Sequence, residues 1–304
     1  MPLPHPPGKP PGWIPPGQRT PEAIMGGSKV VGVGHRVVAS SGAGPSGFID
    51  GHDLSEIMTI LGGRAVRMFL PFFETDAADN TPVQDAGPRG HHFLKVKTST
   101  YDPYIKGHVL AYRLNAANFE AFDMADHDDF SMGADGTPAN EPAFSVGIAV
   151  RFKDATLNRL ITRIDTTGGS EKVEYRFITD GSDRLIFQTF DAELLVNRGR
   201  RWNTALVEDT WHILIGTYTG ACTNGGFSIY VGGARVDNQD QAAGDYTAMH
   251  NMAVPTRVGC YDAGGGALGG FINGDVWGPF ITKKCLSAGE ALSLTNIYRR
   301  VLCL

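Results

Sequence analysis

The chain has 304 residues, with 27 Lys plus Arg against 32 Asp plus Glu and a formal net charge of -5. This slight acidity argues against a nucleic-acid binder, and no run approaches the ~20 apolar residues of a membrane span. With 39 Gly, 18 Pro and only 19% charged residues, the composition points to many short strands joined by tight turns rather than to long helices.

Residues 1–25 read MPLPHPPGKPPGWIPPGQRTPEAIM, and nine of them are proline. Proline fixes φ and favours an extended path without internal hydrogen bonds. Apart from Trp13 and Ile14 the segment has little apolar surface to bury, so it cannot fold alone. It reads as an extended arm that orders only against a partner or a neighbouring copy. Its expected contact residues are Pro6, Pro7, Pro10, Pro11, Trp13, Ile14, Pro15 and Pro16. The N-terminus lacks the basic-then-apolar layout of a signal peptide.

Residues 26–62 are Gly-rich with short apolar runs and read as an anchoring region. Within them GHDLSEIMTIL (51–61) places Leu54, Ile57, Met58 and Leu61 at helical spacing. Asp53 or Ser55 would cap this helix, and Gly62-Gly63 would end it. GVGH at 32–35 is not a phosphate loop, because no Lys-Ser/Thr follows it.

From Arg64 onward the period becomes two. In FSVGIAVRF (144–152), Phe144, Val146, Ile148, Val150 and Phe152 face one way, and Ser145, Gly147, Ala149 and Arg151 the other. The run VEYRFITDGSDRLIFQTF (173–190) is a hairpin around Asp180-Gly181. WHILIGTYTG (211–220) puts Trp211, Ile213 and Ile215 on one face, and FSIYVGGARV (227–236) turns at Gly232-Gly233. GGFINGDVWGPFIT (269–282) is a strand apolar on both faces. SAGEALSLTNIYRRVL (287–302) is a helix with a Ser287/Glu290 capping box. Repeated half-buried strands of this kind predict two packed antiparallel sheets.

Six segments in order resemble the laminin-G-like, pentraxin-like group of concanavalin-A-like jelly-roll sandwiches. They are VRMFLPFFETDAADNTPVQDAGPRGHHF (66–93), FDMADHDDF (122–130), FSVGIAVRFKD (144–154), WHILIGTYTG (211–220), IYVGGARVD (229–237) and GFINGDVWGPFITKKCLSAGEAL (270–292). The chain departs from the group in lacking Asn-Gly in the first turn and in carrying Gly274 before Asp275. The resemblance implies an all-β, two-sheet antiparallel jelly-roll sandwich over 64–304, with the Pro-rich arm before it and a short C-terminal helix. It also implies a structural calcium held by Asp85, carbonyls near Gly87, and Asp275. The competing reading has Asp85 capping a turn and Asp275 at a strand end.

Other constellations carry less. Asp123, Asp126, Asp128 and Asp129 with His127 lack the Gly and terminal Glu of a calcium loop and read as a solvated loop. Asp191 with Glu193 lacks the further carboxylate and aromatic cleft of a glycosidase. No Gly-x-Ser-x-Gly occurs, and the His residues are scattered. Aromatic platforms for glycan would come from Trp202, Tyr246, Tyr261 and Trp277, with ordinary packing as the alternative for Trp277. NRGRRWN (197–203), with Arg200, Arg201 and Trp202, is the most basic patch and serves equally as an interface. Cys222, Cys260, Cys285 and Cys303 read as four separate thiols, with Cys285–Cys303 the pairing to consider if a disulfide forms.

Together these features predict a non-enzymatic virion structural protein: a phage capsid decoration, collar or tail component, assembled in the host cytoplasm. Its partners would be other virion proteins or neighbouring copies, reached through residues 1–62, and not nucleic acid. The alternative is a carbohydrate-binding module that recognises a cell-surface glycan.

Overall fold

In the computed structural model the described residues are 49–73, 82–96, 102–133, 136–138, 141–165, 172–191, 196–264 and 267–304. All lie in Pro45–Leu304, one of the two units into which the chain divides; the other is Met1–Gly44. The arm and its expected contact residues, Pro6 to Pro16 with Trp13 and Ile14, lie outside the described residues, as does Glu193.

In chain order the elements are α1 (Gly51–Ile60), β1 (Val66–Phe69), β2 (Pro82–Val83), β3 (Phe93–Val96), β4 (Asp102–Lys106), β5 (Val109–Leu114), β6 (Ala121–Met124), β7 (Phe144–Asp154), β8 (Arg159–Asp165), β9 (Lys172–Thr179), β10 (Arg184–Phe190), β11 (Asn197–Ala205), β12 (Trp211–Tyr218), β13 (Phe227–Val231), β14 (Ala234–Arg235), β15 (Gln239–Ala243), β16 (Thr256–Val258), β17 (Tyr261–Gly264), β18 (Ala267–Gly269), β19 (Asn273–Thr282) and α2 (Ala288–Leu302). The first sheet runs β14-β13-β12-β7-β19-β5-β4, with β1 also paired to β19. The second runs β15-β11-β10-β9-β8-β16-β6-β3-β2, and β17-β18 is a separate hairpin. Every pairing is antiparallel, as the sandwich reading requires.

The core fills the space between the two sheets. Phe144 on β7 meets Tyr175 on β9 and Phe187 on β10, with ring centroids 5.1 and 5.5 Å apart. The alternation read from the sequence therefore has the right sense: the even positions of β7 face the second sheet. Close packing also explains Gly216 on β12, where an added Cβ would lie 2.8 Å from the Phe187 ring. On the opposite face of the first sheet α2 lies against β19. Its Tyr298 ring stands 4.6 Å from that of Trp277, and its hydroxyl donates to the Gly278 carbonyl at 2.6 Å.

Both helices form where the sequence places them. Ser287 and Glu290 make the expected capping box. The α1 cap differs from expectation: Asp50, not Asp53 or Ser55, accepts from the Asp53 amide at 2.7 Å. Asp53 is instead one turn inside the helix, where its carboxylate takes the Arg300 guanidinium of α2. Although α1 falls within the expected anchoring region, Ile57 and Leu61 share the core of the sandwich. All four thiols are free. The Cys285–Cys303 link does not form, because a continuous helix of 15 residues lies between them, holding its ends ~22 Å apart at 1.5 Å per residue.

Candidate functional site

Backbone register builds a row across five neighbouring strands of the first sheet. Asp102 on β4 pairs with Arg113 on β5, and Arg113 with Asp275 on β19. Asp275 then pairs with Arg151 on β7, and Arg151 with Trp211 on β12. Directly paired residues share a face, and this face is the one turned away from the core. Trp277, two residues after Asp275 and under α2, belongs to the covered part of that face. The row itself is accessible: Arg113 and Arg151 keep 39% and 32% of their side-chain exposure, while Asp275 between them keeps 1%.

The charges on the row are matched. Arg151 Nε donates to Asp275 Oδ2 at 2.7 Å, and Arg113 Nε to Oδ1 at 3.2 Å. Arg113 Nη1 reaches Asp102 Oδ2 at 2.8 Å. Tyr104 lies with its ring centroid 5.1 Å from the Arg113 guanidinium. Burial and then the Asp275 charge push the Tyr104 phenol far above its usual range, so it remains a neutral hydroxyl. The Trp211 indole N–H is a buried polar atom without a hydrogen-bond partner. The row thus has an aromatic residue near each end and alternating donors and acceptors between them. Four strand spacings make it ~19 Å long.

The calcium implied by resemblance does not fit these partners. Asp85 Oδ1 accepts from the amides of Phe69 and Gly87, each at 2.8 Å, and Oδ2 from the His91 amide at 3.1 Å. Asp275 is claimed by two guanidinium groups. Calcium needs six to eight oxygens with free lone pairs, whereas these carboxylates already point at N–H donors. Asp85 organises a turn, and Asp275 is the centre of the row.

The other residues singled out in the sequence are scattered. Arg200 binds Asp237 at 3.0 Å and also Asp240, while Arg201 holds Gln239 and approaches Asp180 at 3.6 Å. Arg200 and Arg201 of the basic patch are therefore met by carboxylates within the sheet, while Arg198 donates to backbone carbonyls. Trp202 is half-buried against the main core, whereas Tyr261 packs on a separate cluster of Ile164, Val173 and Phe190. Tyr261 also lies under the Arg159 guanidinium, 4.9 Å from its ring centroid. Two platform candidates are buried: Trp277 beneath α2 has no exposure and donates to the Pro71 carbonyl, and Tyr246 donates to Glu141. Asp191 meets His250 at 3.0 Å.

The acidic loop is exposed from Ala125 to Asp128, but its carboxylates are not merely solvated. Asp123 pairs with Arg257, Asp126 with Arg163, Asp128 with Asn251 and Asp129 with His91.

Sequence reasoning singled out Asp275 but missed Tyr104, Arg113, Arg151 and Trp211 as its neighbours. A signal was present: Arg151 falls on the polar face of its strand, and a Trp opens WHILIGTYTG.

No family model matches the chain, and no curated protein matches it. Solved structures do share its fold. One, described as showing that cell entry of botulinum neurotoxin type C is dependent upon interaction with two ganglioside molecules, is 13% identical with a TM-score of 0.51 over 79% of this chain. Another, the binding domain of Paraclostridial Mosquitocidal Protein 1, is 10% identical with a TM-score of 0.50 over 77% of this chain. In each case the match covers 52% of the other chain, so this protein corresponds to about half of those structures. At such identity the likeness establishes a β-sandwich fold and nothing finer.

Proposed function

We propose that this protein is a non-catalytic binding sandwich that recognises a glycan on the open row of its first sheet. The observation that carries this reading is the alignment of Tyr104, Arg113, Asp275, Arg151 and Trp211 across adjacent strands on an accessible face. A pyranose ring presents C–H groups on its faces and vicinal hydroxyls on its rim. Aromatic side chains suit the first, and fixed guanidinium–carboxylate pairs offer donors and acceptors to the second. One structural neighbour is described by its interaction with gangliosides, which are glycan-bearing lipids, and this agrees with the reading.

The test is a glycan array probed with the full chain and with Trp211→Ala and Arg151→Gln. Wild-type protein is expected to retain at least one glycan class. Each substitution should weaken that binding by about tenfold or more, since losing one central aromatic or Arg anchor at an interface costs about 2 kcal/mol. Retention unchanged in both variants, or no retained glycan at all, overturns the proposal.

A second reading concerns assembly and rests on a different observation, the nine prolines among residues 1–25. An arm of that composition gains order by running along a neighbouring chain, as a virion component would require. Loss of incorporation into a particle on deleting residues 1–25, with glycan retention intact, would support it.

A further inference from the structure

We propose that His91, His127 and Asp129 form a binding site for a transition-metal dication of the zinc class. One ligand atom from each of the three lies within 4.8 Å of the other two. His91 Nε2 and Asp129 Oδ2 are 2.8 Å apart, and the His91 and His127 rings have centroids 4.3 Å apart. Zinc bonds of about 2.0–2.1 Å in a tetrahedral shell place ligand atoms ~3.3 Å from one another. The proton shared by His91 and Asp129 is what a metal ion would replace, with a change of only about half an ångström. Two imidazoles and one carboxylate select a borderline ion rather than calcium, which takes oxygen ligands. Water or a ligand would complete the shell on the exposed His127 side.

The fold holds two of these groups in place. His91 follows the turn that Asp85 organises, and its backbone amide donates to Asp85 Oδ2 at 3.1 Å. Its ring is flanked by Phe130, with centroids 5.0 Å apart. Asp129 is held below the usual carboxylate range: burial alone would raise it, but the His91 hydrogen bond and the charges of Arg89 and Arg67 outweigh that. The acidic group Asp50, His52 and Asp53 also lies close together, but Asp50 caps α1 and Asp53 is taken by Arg300.

Two features oppose the ion, and they sharpen the test. Arg67 Nε and Arg89 Nη1 lie 3.8 and 3.7 Å from the Asp129 oxygens. Arg67 is fixed by a hydrogen bond to the Arg64 carbonyl and faces Oδ1, leaving Oδ2 for the metal. Arg89, 47% exposed, faces Oδ2 and must swing into solvent. In addition, His127 Nδ1 accepts from the Asp129 amide at 3.1 Å, so coordination requires that ring to change its proton or give up that bond.

Calorimetric titration of the full chain with zinc chloride is the experiment, with cobalt absorption spectra to report imidazole ligation. Wild-type protein should bind one more zinc equivalent than His127→Ala, or bind it at least about tenfold more tightly. Asp129→Asn should behave like His127→Ala, Arg89→Ala should bind more tightly than wild type, and His52→Ala should match wild type. Calcium should give no heat that depends on His127. His127 is exposed, so its alanine variant tests the site even where Asp129→Asn perturbs the fold, which circular dichroism will show. No zinc binding by wild type, or equal binding by wild type and His127→Ala, overturns the proposal.

Discussion

Glu174 and Arg163 have no solvent exposure, and Arg163 Nη2 meets Glu174 Oε1 at 3.1 Å. The carboxylate also accepts from the Met252 amide at 2.8 Å, the Met132 amide at 3.2 Å and the Ser131 hydroxyl. Arg163 reaches the Met252 carbonyl and Asp126 as well. Two buried charges are tolerable only with this degree of pairing, because each alone would face a desolvation cost of several kcal/mol. Glu174→Gln keeps the shape but leaves the guanidinium without its buried counter-charge. It should therefore destabilise the protein by about 3 kcal/mol. The check is a urea transition with a lower midpoint and an unchanged slope. A change below about 0.5 kcal/mol would mean that Asp126 alone can neutralise Arg163. None of this network was visible in the sequence, where Glu174 is one polar position in a strand. A register shift between Arg163 and Ile164 brings the two residues together, and bulges leave no reliable mark in single-strand alternation.

At the scale of elements, the link from β14 to β15 carries the chain from the edge of one sheet to the edge of the other. Asp237 sits in that link and ties both sides. It accepts from the Ile229 amide at 2.9 Å, from Arg235 at 2.9 Å and from Arg200 on β11 at 3.0 Å. Burial would raise this carboxyl, but the Arg235 bond, the Ile229 amide and Arg200 together hold it below the usual range. A carboxyl lowered in the folded state contributes stability above its unfolded pKa, and that contribution disappears as pH falls through the folded value. Between about pH 5 and pH 3 the wild type should therefore lose more stability than Asp237→Asn, which has no such proton to take up. Urea midpoints across that range would show it; parallel curves for the two proteins would contradict it. Elements of this kind divide by legibility. The alternation of β7, the Asp180-Gly181 hairpin and the capping box of α2 each depend on neighbours a few residues away, and each is readable. The row through Asp275 depends on which strands lie side by side. Residues 102, 113, 275, 151 and 211 meet only because β19 inserts between β5 and β7, and no local pattern records that order. For the same reason Asp85 and Asp275 could be named from resemblance while their partners could not.

For the whole molecule, the sandwich and the proline-rich arm make separate demands. Within Pro45–Leu304 one extended hydrophobic cluster runs between the two sheets and on beneath the helices, taking in Ile57 of α1, Leu61 just after it, and Leu294 and Val301 of α2. A core of that extent supports independent folding. Residues 1–25 offer few apolar side chains beyond Trp13 and Ile14 with which to build a second core. The chain lacking residues 1–44 should therefore unfold cooperatively, with its midpoint within about 4 °C of the full chain, a shift worth at most 1–2 kcal/mol in a domain of this size. Calorimetry on both proteins gives the comparison. The same truncation separates the two functional proposals. Glycan retention through Trp211 and Arg151 should persist in the truncated chain, while any assembly that depends on the arm should be lost. If truncation removed both cooperative unfolding and glycan retention, the division at Gly44/Pro45 would not mark an independent folding unit, and the row on the first sheet would need residues 1–44 to be functional.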